Sequence, residues 1–378
     1  MTPATEPRTL RDGARLLTGE RDADETRVAR LADLLRPGDL LVVNDAATMP
    51  ASLRAQRANG ASVELRLTGP PTDQDMVAVL FGAGDWRTPT EDRPLPPVLT
   101  VGERLWLETA ASRTAPPLGE GSPRAQGMLE VRAVDPSQPR LLTLHARANP
   151  WSLLFRYGRP VQYSHLRAPL ALWDVQTAYA ARPWAVEPPS AGLPLSWSVL
   201  EALEERSIRI ASLTHAAGLS STGDPELDRR LPFPERYRIE PKTLEAITAA
   251  KRRGGRVIAV GTTVVRALED MWVTEGQLRA GERTAQLVLG PEHRLKVVDG
   301  ILTGVHAPGE SHFELLTAFR PASELRRVVD AAHRRGLLTH EFGDLLLIFK
   351  RSRSKDDVNA RRTAGPLLAS ATGSTAGP

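Results

Sequence analysis

The sequence predicts an α/β main domain interrupted by a small all-β, barrel-like insert, and three observations carry that expectation. Compact apolar runs of strand length, Asp39–Val43 (DLLVV) and Arg256–Val260 (RVIAV), each give way to polar or glycine-bearing residues. From Trp173 onward apolar residues recur mostly at helical spacing around such strands, which is the texture of an α/β domain. Between about Ser62 and Leu144 the pattern changes to short runs, SVELRL, MVAVLFG, RLWLET, GMLEVRAV and RLLTLHA, parted by the Gly/Pro-rich stretches TGPPTD and RPLPPVLTVGE. The expected organisation is therefore a discontinuous main domain over residues 1–61 and 150–350, an insert over 62–149, and a disordered tail over 351–378. That tail runs RSRSKDDVNARR and then Ala, Gly, Ser, Thr and Pro, a composition that buries little apolar surface.

In chain order, Val28, Leu31, Leu34 and Leu35 have helical spacing and predict a helix over Glu25–Leu35, stopped by Pro37-Gly38. The strand Asp39–Val43 ends in Asn44-Asp45, which places two polar side chains at its carboxyl end. In EPPSAGLPLSW, Glu187 to Trp197, the prolines extend the backbone, Ser190 bonds locally, and Gly192 permits a positive φ before a helix starting near Ser196. Further strands are expected near Ile208–Leu213 and Leu295–Val298. The second of these makes Asp299-Gly300 a turn after a strand, with His306, Pro308 and Ser311 in a loop before a helix carrying Phe313, Leu315, Leu316 and Phe319.

The strongest local signal is RVIAVGTTVVRALE. A strand runs into Gly261-Thr262-Thr263, which opens a helix, and Arg266 follows one turn later. Unpaired N–H groups at a helix start, with hydroxyls beside them, suit a carboxylate or phosphate. The blander readings are that Thr262 only caps a helix and that Asp299 only forms a turn. The G-x-G-x-x-G spacing of a dinucleotide fold is absent here, which argues against a nicotinamide-dependent oxidoreductase.

Bulk properties set outer limits. At 378 residues and 41.2 kDa, with 41% hydrophobic and 25% charged residues, the chain suits a folded, enzyme-sized protein of two domains. Lys+Arg exceed Asp+Glu by only 49 to 45, so a nucleic-acid partner is allowed but not demanded. The absence of cysteine excludes disulfides, thiolate metal sites and a cysteine nucleophile. No apolar run reaches the roughly 18 residues of a membrane span, so no membrane partner and a cytoplasmic location are expected. The usual metal-ligand spacings are missing, and no resident metal or cofactor is expected.

Five ordered blocks over roughly residues 25 to 350 resemble the S-adenosylmethionine:tRNA ribosyltransferase-isomerases of queuosine biosynthesis. PGDLLVVNDAATMPASL is similar to the family's PGDLLVxNDTRVxPARL through Pro37, Gly38, Asp39, Leu40, Leu41, Val42, Asn44, Asp45, Pro50, Ala51 and Leu53. The GTTxxRxLE block matches through Gly261, Thr262, Thr263, Arg266, Leu268 and Glu269, and DGxxTNFHxPxS through Asp299, Gly300, Thr303, His306, Pro308 and Ser311. VQTAYA and PPSAGLPL resemble YQTVYA and APTAGLHF. Gly304 and Val305 stand where the family has Asn and Phe, Pro194 where it has His, and LPFPERY, with Glu235 retained, where it has HxMHxE.

The resemblance implies transfer and isomerisation of the ribosyl group of S-adenosylmethionine, a co-substrate, to 7-aminomethyl-7-deazaguanine in a tRNA anticodon loop, giving epoxyqueuosine. Such a reaction needs a base for the carbon beside the sulfonium, an acid for departing adenine, and a cradle for the methionine carboxylate. His306 and His215 fit the first two tasks among the eight histidines. Asp45 and Asp299 would balance the sulfonium or bind ribose, and Gly261, Thr262, Thr263 and Arg266 would hold a carboxylate or phosphate. Asn44, Ser190, Gly192, Thr303 and Ser311 complete the expected binding set, in a protein expected to be monomeric. A divergent paralogue with another acceptor, and a non-catalytic nucleoside- or tRNA-binding protein, stay open as alternatives.

Overall fold

Leu40–Asn44 lies at the middle of the molecule, and its five residues are all buried. Leu40 and Val42 face one way, into a core with Ile247, Val264, Leu268 and Val328 of the helices Pro241–Arg252, Thr262–Glu275 and Ala322–Arg334. Leu41 and Val43 face the other way, onto Leu31 and Val199 of the helices Leu31–Leu34 and Trp197–Glu205. Alternation across a strand thus supplies both faces of a helix–sheet–helix sandwich, which is why this run is apolar throughout. The structure is a computed structural model that describes residues 1–19, 24–108 and 127–351, so the tail expected from 351 lies outside the described residues apart from Arg351.

The main sheet has nine strands in the order Gly281–Ala285, Glu235–Ile239, Arg209–His215, Leu40–Asn44, Val257–Val260, Gly300–Gly304, Leu345–Phe349, Arg15–Thr18, Glu25–Arg27. The inner four, from Arg209–His215 to Gly300–Gly304, run parallel, so His215, Asn44, Val260 and Gly304 end along one edge. Open parallel sheets bind ligands outside that carboxyl edge.

Six antiparallel strands close a barrel in the order Met128–Asp135, Gln138–Ala146, Asp75–Phe81, Ser62–Leu67, Ser52–Arg57, Arg104–Leu107. All five runs expected to be strands are found there. The sixth, Ser52–Arg57, starts the barrel ten residues before the expected boundary at 62, because it pairs with both Ser62–Leu67 and Arg104–Leu107. Val63, Leu65 and Leu67 point into the barrel core, while Glu64 and Arg66 are buried on its outer side. There Glu64 bridges Arg66 at 2.7 Å and Arg93, and Arg66 lies 4.5 Å over the ring of Phe81.

Two expected elements differ. Glu25–Arg27 is a strand, paired with Arg15–Thr18 and pinned by Arg15 to Glu25 at 2.7 Å, so only Leu31–Leu34 of the expected helix is α-helical. Leu295–Val298 is not a strand either. The N–H groups of Lys296, Val297 and Val298 donate to the buried Glu269 carboxylate at 2.9, 2.9 and 3.0 Å, and the strand begins at Gly300. No helix among the described residues is long and apolar enough to cross a membrane.

Candidate active site

A cleft of about 370 Å³ opens at the carboxyl edge of the four parallel strands. Its floor is the turn from Val257–Val260 into the helix Thr262–Glu275, where Gly261 takes φ 88°, a conformation that favours glycine. The Gly261 N–H is spent on the Leu302 carbonyl at 2.8 Å. The next N–H groups, from Thr262 onward, start the helix without intrahelical acceptors, and Thr262 and Thr263 line the cleft. Asn44 steadies this turn from behind. Its Nδ2 donates to Thr263 Oγ1 at 3.3 Å and to the His215 carbonyl at 3.0 Å, and its Oδ1 accepts the His215 N–H at 2.9 Å.

One wall comes from the strand Gly300–Gly304 together with the loop and helix C-terminal to it. Buried Thr303 bonds His306 Nε2 through Oγ1 at 3.1 Å, and Glu310 lies 3.6 Å from His306 Nδ1. The His306 ring stacks on His312 at 4.8 Å. Burial, with the charge of His306 second, pushes His312 down to about 3, so it stays neutral. Ser311, at the start of the next helix, also lines the cleft.

The other wall is acidic, with Glu187 and Glu341 lining it. Burial pushes Glu187 up to about 7, against hydrogen bonds from Tyr163 and Ser220. Those bonds all fall on Oε1, from Tyr163 Oη, from the Ser220 N–H at 2.8 Å and from Ser220 Oγ at 3.2 Å. A half-buried carboxyl that titrates near neutrality beside a cleft has the properties of an acid–base group.

Of the expected site residues, Ser190, Gly261, Thr262, Thr263, Arg266, Thr303, His306 and Ser311 line the cleft. Arg266 does so with all five N–H groups occupied. They donate to Glu235, to Leu287 O at 3.0 Å, twice to Phe233 O at 3.2 Å and to Ala285 O at 3.1 Å. It is therefore no free clamp for a phosphate or carboxylate; it braces Glu235, whose carboxyl is raised by burial and partly restored by Arg266. Gly192 sits behind the wall, where a Cβ would lie 2.1 Å from Tyr179 Oη, so it serves close packing rather than the expected positive φ.

Three expected catalytic residues are placed elsewhere. Asp299 precedes the strand Gly300–Gly304, which puts it at the amino edge, held by Lys251 at 2.9 Å, Lys350 at 2.6 Å and the Val257 N–H at 2.9 Å. Asp45 turns to Ser212 Oγ at 2.8 Å and Thr214 Oγ1 at 2.6 Å, in a shallow groove with Arg182 and Glu240. His215 is wholly buried behind Asn44, its ring nitrogens lack hydrogen-bond partners among the described residues, and burial, then Arg266, pushes it down to about 3. Glu341 escapes sequence reasoning, since no motif contains it, while Glu187 and His312 lie inside segments that point to other residues. Glu235 is visible in the sequence only as the residue kept in LPFPERY.

A family model described as queuosine biosynthesis protein matches residues 2–348. A relative from Trichlorobacter lovleyi, named S-adenosylmethionine:tRNA ribosyltransferase-isomerase, is 32% identical over 91% of this chain and 95% of its own length. Another of that name, from Thermus thermophilus, is 32% identical over 89% of this chain and 93% of its own. A solved structure, the S-adenosylmethionine tRNA ribosyltransferase of Thermotoga maritima, shares 21% identity over 92% of this chain and 96% of its own, at a TM-score of 0.46.

Proposed function

The chain belongs to the queuosine biosynthesis protein family, and from that premise we propose that it moves the ribosyl group of S-adenosylmethionine onto 7-aminomethyl-7-deazaguanine in tRNA and isomerises it to epoxyqueuosine. The observation that carries the reading is the pairing, in one cleft, of an open helix start at Thr262-Thr263 with an acidic wall of Glu187 and Glu341. The co-substrate has a matching polarity: its carboxylate seeks N–H donors, and its sulfonium seeks a carboxylate, which Glu341, kept ionised against its burial by His165, supplies while Glu187 holds its proton.

In this reading the N–H groups of Thr262 and Thr263 hold the methionine carboxylate. The hydroxyls of Ser190, Thr303 and Ser311 bind ribose oxygens. His306, oriented by Thr303, takes the proton from the carbon beside the sulfonium. Glu187, which holds its proton up to about pH 7, gives one to adenine as the glycosidic bond breaks. The acceptor's amine nitrogen bonds a ribosyl carbon and releases a proton to solvent, and a ribosyl oxygen closes the epoxide as the C–S bond breaks and methionine leaves as the neutral thioether. Leu287, Leu289 and Leu315 supply an apolar surface for the base. The protein acts as a monomer in the cytoplasm, on an anticodon loop whose modified base is splayed into the cleft.

The deciding experiment incubates the purified protein with S-adenosylmethionine and a tRNA bearing 7-aminomethyl-7-deazaguanine, with mass spectrometry for epoxyqueuosine and released adenine. Both products are expected in equal amounts. Adenine without modified tRNA would assign another acceptor, and neither product from folded protein would sink the reading.

A further inference from the structure

Beside the cleft stands a trio that sequence spacing could not reveal. His165 comes from the loop after the barrel, and His340 and Glu341 from the turn between Leu338–Thr339 and Leu345–Phe349. Each offers one ligand atom, and these atoms all lie within 4.8 Å of one another. His165 Nε2 is 2.8 Å from Glu341 Oε2, and the two imidazoles stack at 4.3 Å. We propose that His165, His340 and Glu341 form a site for a divalent transition-metal ion of zinc's class, set against the cleft wall that Glu341 also lines.

Two imidazoles and one carboxylate are a donor set that zinc-class ions take as three protein ligands, leaving a further position open. Imidazole donors select such ions over magnesium or calcium, which prefer oxygen alone. Metal–ligand bonds of about 2.0–2.2 Å at tetrahedral angles place neighbouring ligand atoms roughly 3.4 Å apart. The present separations, from 2.8 Å to at most 4.8 Å, bracket that figure. Closing the trio needs side-chain shifts of about 1 Å and a turn of one stacked ring to aim its lone pair. His340 is exposed and has room for that turn.

The backbone supplies a second observation. His340 takes φ 66°, in the left-handed region that few non-glycine residues adopt. That conformation sets its ring over His165 in a turn where Glu341 is held by the same histidine. Strain of this kind persists where the surrounding structure fixes it, and it gathers at ligand sites.

The test uses the full chain without a histidine tag, stripped by chelator and titrated with Zn²⁺ by calorimetry and with Co²⁺ by visible absorption. One tightly bound equivalent is expected, with Co²⁺ ligand-field bands of low coordination number. His340→Asn, which tolerates the left-handed backbone, and His165→Gln should each weaken binding by roughly tenfold or more, while circular dichroism stays unchanged. Absence of a stoichiometric ion in the unaltered protein, or equal affinity in both variants, would overturn the proposal. Glu341 is shared with the cleft wall, but because the readout is bound metal and neither variant removes Glu341, failure here and failure of the ribosyl-transfer reading are told apart by separate assays.

Discussion

The two edges of the same parallel sheet treat their polar groups in opposite ways. At the amino edge the carboxylates of Asp39 and Asp299 are both consumed. Asp39 bonds Arg256 at 2.5 Å and accepts the Arg36 and Arg256 N–H groups at 2.8 and 2.9 Å, while Asp299 lies between Lys251 and Lys350. At the carboxyl edge the helix start at Thr262 has donors to spare, and Glu187 Oε2 has no hydrogen-bond partner among the described residues. One edge is tied off by ion pairs, and the other keeps unpaired polar groups facing a cleft. An acidic residue in a family motif therefore acquires its meaning from the edge it occupies.

That contrast can be broken or sharpened by substitution. The largest effect is expected at His306: alanine should cut turnover by about 10²–10⁴-fold in the adenine-release assay, while chemical denaturation reports a loss of about 1–3 kcal/mol because buried Thr303 loses its partner. Arg266→Ala leaves Glu235 buried without its counter-charge, so urea unfolding should report a loss of about 3–5 kcal/mol.

Asp299→Asn should cost stability, about 1–2 kcal/mol, and leave the rate per folded molecule unchanged; a loss of rate instead would return Asp299 to the chemistry. Burial pushes its carboxyl up, but Lys350, the Val257 N–H and Lys251 outweigh that and hold it below its ordinary 3.8. Its folded value lies below the unfolded one, so its stabilisation is present above about pH 4 and lost as pH falls through the folded value. The variant should show a shallower acid limb in its melting temperature.

Glu187→Gln acts on the pH dependence of stability with the opposite sign. Because burial lifts the Glu187 carboxyl from 4.5 to about 7, the folded protein holds a proton the unfolded chain releases, and stability falls as pH rises between those values. The variant should lose that slope in melts across the same interval. Its pH–rate profile should also lose the ionisation near neutrality.

The α/β frame and the barrel were legible because apolar strands and alternation are local signals, as in Leu40–Asn44 and Ser62–Leu67. Register was not. Val297 and Val298 look like strand residues, but their N–H groups go to Glu269, a long-range acceptor that no window of sequence contains. That slip is what made Asp299 seem to end a strand rather than precede one. The floor of the cleft was readable from GTT, because strand, glycine and helix start are contiguous. Its acidic wall was not, because Glu187 and Glu341 are brought together by tertiary packing. Arg266 was found, but occupancy of its five donors was not visible, since it depends on the Glu235 carboxylate and the carbonyls of Phe233, Ala285 and Leu287.

The central position of Leu40–Asn44 also governs the order in which the molecule can be assembled. Both its neighbours, Arg209–His215 and Val257–Val260, lie on the far side of the barrel in sequence. During synthesis at about 5–20 residues per second, the first partner strand follows this one by roughly 8–33 s. The barrel, whose strands are nearly consecutive, has the means to fold in that interval, whereas Leu40–Asn44, buried at all five positions in the finished sheet, waits unpaired. Nascent chains stalled between the barrel and Arg209 should therefore be the stage at which the growing protein most needs a chaperone.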